Sequence, residues 1–177
     1  MLVAVVLTAI AAVWDHKTGT IPNWVTLGAV VGGIVGHTLY GWHAAGFRAG
    51  LVEGGMSLLG VVFCSIAPAF MYWKGGMGGG DLKLFAGLVA LCHPMLGIEM
   101  QMYSLVVAAI AAPARLAYEG RLFQVLGGSL SVLLNPFRPP EKRRAIPTEA
   151  TAWFRMGPAI FTGALLTLLV HAYAAPR

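Results

Sequence analysis

Charge is what this sequence has least of. Only 11% of its 177 residues are Asp, Glu, Lys or Arg, against 58% hydrophobic, and the mean hydropathy is +0.74. A soluble domain of this length does not carry so apolar a composition. The shortage is sharpest for one residue type: of seven acidic residues only two are aspartate, Asp15 and Asp81. Cysteine is equally scarce. Cys64 and Cys92 both fall inside apolar runs and form no CxxC pair, which excludes a disulfide framework or a zinc knuckle and reads as two buried thiols. The five histidines are scattered, with no HExxH and no ligand spacing, so neither a metal nor another cofactor is expected. Gly127-Gly128-Ser129 lacks the GxSxG pattern of a nucleophilic serine. The twelve Lys and Arg form no stripe, so no nucleic-acid partner is expected.

What the chain does have is apolar runs, at about 1–18, 24–40, 51–73, 82–93, 96–117 and 156–174, broken by Gly, Pro and Asn signals. The first resembles a signal peptide only in its small residues, since no positively charged leader precedes it. The expected fold is all-α: a single membrane-embedded domain over 1–177 with six transmembrane helices and the lipid bilayer as its surroundings. With six spans, ten cations (Lys17, Lys74, Lys83, Arg115, Arg121, Arg138, Lys142, Arg143, Arg144 and Arg155) fall on one side, and Arg48 and Arg177 on the other. The positive-inside rule makes the first side cytoplasmic and places both termini outside. The long cytoplasmic loop, about 118–155, contains an apolar stretch at 122–134 that suits an interfacial helix or a plain loop.

In this topology two complete crossings separate Asp15, near the end of span one, from Asp81, at the start of span four, so both reach the cytoplasmic face. Asp15 has only 14 residues ahead of it, about 21 Å of helix against a hydrocarbon core of roughly 30 Å, which sinks it below the interface. A carboxylate at that depth reads first as functional. Gly78-Gly79-Gly80 presents no side chains ahead of Asp81, leaving room for a substrate strand. Asp81 is placed as the N-cap of its helix, where the dipole favours its charged form and leaves a shared proton with its partner. Two carboxylates in a poorly hydrated site share one proton, the arrangement of acid proteases.

Asp15-His16-Lys17 followed by Ile21-Pro22-Asn23, and Gly78-Gly79-Gly80-Asp81 followed by Lys83, resemble the two signature segments of type IV prepilin peptidases, the GxGD-type membrane aspartic proteases. Arg155-Met156-Gly157-Pro158-Ala159 resembles that family's third common segment. The resemblance implies cleavage of the basic leader of prepilins or pseudopilins at the cytoplasmic face of the bacterial inner membrane. Asp15 and Asp81 would be the catalytic pair. Larger members add an N-terminal segment with paired CxxC motifs that binds zinc, and they methylate the product. This sequence has no such motif and resembles the short form serving Flp-type, tight-adherence pili.

His16, as a helical neighbour of Asp15, points about 100° away from it, and Lys17 and Lys83 read as topology anchors. Glu53 and Glu99, in or beside apolar runs on the outer half, support an alternative of a different class: a small proton-coupled transporter or channel component with an intramembrane carboxylate.

Overall fold

The computed structural model describes residues 1–120, 122, 123, 126 and 155–174, and among them every regular element is a helix. In order these are α1 (Leu2–Thr18), α2 (Asn23–Ala45), α3 (Phe47–Cys64), α4 (Ile66–Trp73), α5 (Gly79–Cys92), α6 (Pro94–Tyr118) and α7 (Gly157–Ala174). The chain divides into two compact units, residues 1–108 with 155–177, and residues 109–154. In the second, the Arg115 guanidinium meets Glu119 one helical turn later, at 3.0 Å. Leu122, Phe123 and Leu126 are helical, and the rest of the expected interfacial stretch lies outside the described residues.

The expected apolar runs reappear as helices, two of them as short as their runs. Among the described residues, four segments are long and apolar enough to cross a membrane: Asn23–Ala45, Phe47–Trp73, Pro94–Tyr118 and Gly157–Ala174. By contrast α1 has 17 residues, and α5 has 14, about 21 Å of rise, short of a hydrocarbon core of roughly 30 Å. Helix α5 is nevertheless the most enclosed element of its unit. Leu84, Phe85, Leu88, Val89 and Ala90 are fully buried, against α2 and α3 and, more lightly, α1 and α4. A helix apolar on all sides and sheathed by others does not need to reach lipid headgroups itself.

Small residues bring the helices together. Ridges of Thr26, Ala29 and Gly33 on α2 meet Gly87 and Ala90 on α5; a methyl group added at Gly33 would stand 2.4 Å from the Ala90 carbonyl carbon. This is how apolar helices associate where hydrophobic transfer offers no drive: backbones approach until dispersion contacts are made over their length.

The expected run 51–73 is interrupted. Pro68 has no N–H for the carbonyl of Cys64 four residues back, and its ring clashes there, so α3 ends at Cys64 and α4 begins after Ser65. The freed Cys64 carbonyl accepts instead from the Gln101 side-chain amide of α6, at 3.1 Å, both groups buried. Pro94 acts likewise at the end of α5. It withholds the N–H that the Ala90 carbonyl would take, and Ser57 of α3 donates to that oxygen at 2.9 Å. The adjacent Leu91 carbonyl has the His37 ring nitrogen Nε2 at 3.2 Å. A residue before proline is kept out of the helical region, and His93 takes φ 67°, ψ 158°, a conformation held almost only by glycine and costing on the order of 1–3 kcal/mol elsewhere. Cys64 and Cys92 are both buried and free.

The packing predicts a contrast between adjacent glycines. Gly33→Ala, against the Ala90 backbone, is expected to lower stability by about 1–3 kcal/mol. Gly32→Ala faces open space and should be neutral, or stabilising by up to roughly 1 kcal/mol through helix propensity. Thermal unfolding of the two detergent-solubilised variants measures the difference.

Candidate active site

The first carboxylate is set by the small-residue face of α1. Ala4, Thr8, Ala11, Ala12 and Asp15 recur at helical spacing and are buried, and α1 packs chiefly against α7. Asp15 is 6% exposed. Its Oδ2 accepts a hydrogen bond from the backbone N–H of Gly157, the first residue of α7, at 3.0 Å. Only glycine fits there, since a Cβ on residue 157 would come within 2.8 Å of both Asp15 Cβ and Oδ2. The carbonyl of Asp15 is also occupied. Gly19, left-handed at φ 70°, donates its N–H at 2.8 Å, and the Arg155 guanidinium donates at 3.0 Å and to the His16 carbonyl as well. Asp15 thus lies at a helix C-terminus in its own chain segment but faces the N-terminus of another helix, whose free N–H groups and dipole complement an anion. The expectation that only Asp81 has a helix N-terminus beside it is corrected.

Asp81 occupies a different place from the one expected. Gly78, with extended backbone, is the N-cap, which makes Asp81 the third residue of α5 rather than its cap. Its carboxylate turns back to the Gly78 backbone N–H. This is the return half of a capping box, in which an acid at the third position covers the amide of the cap residue. The three glycines ahead of it are not equally open. Gly78 is exposed and faces the Asp81 carboxylate, Tyr72 lies over Gly79, and Ile21 packs on Gly80, at 3.3 Å from where a Cβ would be. Close approach at Gly80 therefore serves the chain's own Ile21-Pro22-Asn23 segment. Two further contacts fasten the same region: Lys83 Nζ donates to Asn23 Oδ1 at 2.9 Å, and Trp14 meets Trp24 edge to face at 6.0 Å between ring centres.

The two carboxylates feel one another. Asp81, ahead of the apolar run of α5, is pushed up to about 6, first by burial and then by the negative charge of Asp15, against the opposing hydrogen bond from Gly78. Asp81 therefore keeps its proton more readily than an ordinary aspartate. This corrects the sequence expectation of a charged Asp81, because burial and the Asp15 charge outweigh the Gly78 hydrogen bond.

His16 and Lys17 are exposed beside the buried Asp15, in keeping with headgroup or anchoring roles. Glu53 lies 3.4 Å from His93, and Glu99 2.7 Å from His171, with Glu53 and Glu99 both about a third exposed. What the sequence did not disclose is how the third segment acts: Arg155 and Gly157 grip the end of α1 and present an amide to Asp15. The one signal was Gly157-Pro158, glycine and proline at the start of a helix, which marks its first turn without saying what faces it.

Fold and site together define a multi-pass helical membrane protein that holds two carboxylates, 66 positions apart in sequence, within electrostatic reach of each other. Residues 2–113 match the model of the type IV leader peptidase family, and the chain belongs to that family. Membership makes it a protease of the leader-peptidase type. The matched segment contains Asp15 and Gly78–Asp81, while Arg155 and Gly157 lie beyond it. Comparison with curated proteins and with solved structures found no match.

The fit at Gly157 generates a prediction. Gly157→Ala is expected to push α7 from Asp15 and lower stability by about 1–3 kcal/mol, while Pro158→Ala, on the exposed side of the same turn, changes it by less than about 0.5 kcal/mol. Thermal unfolding of the two purified proteins reads the difference.

Proposed function

We propose that this chain is an aspartic endopeptidase that removes the basic leader from prepilins or pseudopilins at the cytoplasmic face of a bacterial inner membrane, with Asp15 and Asp81 as its catalytic pair. The observation that carries the reading is the electrostatic coupling of the only two aspartates, inside the segment that matches the leader peptidase family. The cation count supports six crossings with both termini outside, which puts the pair on the face where a basic leader is held back from translocation. Exposed Gly78, next to Asp81, is where an extended substrate segment has room; Gly79 and Gly80 shape that edge through Tyr72 and Ile21.

The chemistry follows from one proton on two carboxylates. Asp15, anchored by the Gly157 amide, takes a proton from a water molecule as the water oxygen adds to the scissile carbonyl carbon. Asp81 gives its proton to the carbonyl oxygen, producing a neutral gem-diol. As that diol collapses, Asp81 takes back a hydroxyl proton and the proton on Asp15 passes to the departing nitrogen, so the C–N bond breaks and an acid and an amine are released. The pair ends with the single proton it began with. A carrier reading has less support, since Glu53 and Glu99 each stand beside a histidine and are partly exposed rather than enclosed alone at mid-helix.

Asp15→Asn and Asp81→Asn are each expected to reduce cleavage of a purified prepilin-type substrate by at least about 10²-fold while the proteins insert and purify normally. Wild-type rates from Asp81→Asn would remove the assignment. A second expectation concerns pH. Because the Asp81 proton is present below about 6 and lost above it, kcat/KM should fall as pH rises from 6 towards 8. A profile flat between pH 5 and 8 would show that Asp81 is not the acid.

A further inference from the structure

At the end of the helices away from the aspartates, three side chains that are far apart in sequence converge: His37 of α2, Glu53 of α3 and His93 between α5 and α6. One ligand-capable atom from each lies within 4.8 Å of those from the other two. His93 is twelve residues from Asp81, about 18 Å along α5, so this cluster is separate from the proteolytic site. We propose that His37, Glu53 and His93 form a binding site for a zinc-class divalent metal ion.

Four observations support it. First, His93 Nε2 and Glu53 Oε2 are 3.4 Å apart. That is long for a hydrogen bond, and it is the edge of a tetrahedron whose centre lies about 2.0–2.1 Å from each corner, the usual zinc–nitrogen and zinc–oxygen distance. Second, His37 is already oriented: with Nε2–H donating to the Leu91 carbonyl, its Nδ1 keeps a free lone pair. Histidine ligands commonly hold their second ring nitrogen on a backbone carbonyl in this way. Third, the two imidazoles lie close, ring centres 4.0 Å apart and planes inclined at 59°, without hydrogen-bonding each other. Fourth, His93 is held in a backbone conformation nearly reserved for glycine, and that conformation carries its ring towards α2 and α3. Such strain persists where surrounding structure or a ligand compensates it.

The donor set, two neutral imidazoles and one carboxylate, suits zinc and its neighbours rather than magnesium or calcium, which prefer oxygen alone. Three protein ligands leave one coordination position free. A cavity of about 340 Å³ lined by Gly32, Gly33, Gly36, Tyr40 and Leu91 beside both histidines gives water or a small anion room to fill it. All three residues are partly exposed, so an ion has access. Spacing in the sequence could not reveal the site, because its members sit 16 and 40 positions apart on separate elements.

Bound there, an ion would tie α2 and α3 to the end of α5, the helix that carries Asp81. The test uses the full chain in detergent, stripped with a chelator and titrated with Zn²⁺ or Co²⁺ alone. The expected result is one saturable equivalent, visible Co²⁺ absorption bands of a four- or five-coordinate ion, and a rise in the thermal transition. His93→Gly is the informative variant, since glycine adopts φ 67° freely: the stripped protein should be at least as stable as wild type yet bind the ion at least tenfold more weakly. Glu53→Gln and His37→Gln should weaken binding as much. The readout does not depend on proteolysis. A wild-type titration with no saturable one-to-one phase, or unchanged binding by His93→Gly, would overturn the proposal.

Discussion

Gly33 on α2 and the Ala90 carbonyl on α5 approach until a single added carbon atom would overlap the backbone, and much else is arranged around that contact. It allows a 14-residue helix to be enclosed by its neighbours rather than exposed to its surroundings. Enclosure in turn frees α5 from having to match the thickness of a membrane. Both of its ends then become interior places, one bearing Asp81 and the other giving way to His93. Wider residues at the crossing would push α5 outwards, where its length would no longer suffice. The small residues of α2 therefore govern the setting of a carboxylate that they do not touch.

The helices were legible in the sequence because apolar runs bounded by Gly, Pro and Asn leave few alternatives. Asp15 and Asp81 stood out because charge is so scarce that any carboxylate is conspicuous. The break at Ser65 was missed, since the apolar run continues through it. Pro68 was the signal, and only the structure shows Gln101 supplying the Cys64 carbonyl with a donor. The electrostatics of the pair were misread for a related reason. A helix dipole can be inferred from position along one chain segment, but burial and the approach of a distant helix terminus cannot. Asp15 looked unsupported because its partner amide is 142 residues away, and Asp81 looked like a cap because the run of glycines hides which of them ends the turn. The His37, Glu53 and His93 cluster was invisible for the same reason, as no local spacing encodes a meeting of three elements.

The two carboxylates belong to differently bonded neighbourhoods. Helix α1 is held chiefly by α7, through Gly157 and the Arg155 guanidinium, while α5 is held by α2 and α3; α1 and α5 themselves touch only lightly. The aspartates thus belong to two helical packets, with the Ile21-Pro22-Asn23 turn and the Trp14–Trp24 contact as the stitching between them. The gap between two ionisable groups then follows the packing of two separate packets, and the lift that the Asp15 charge gives Asp81 weakens as that gap widens.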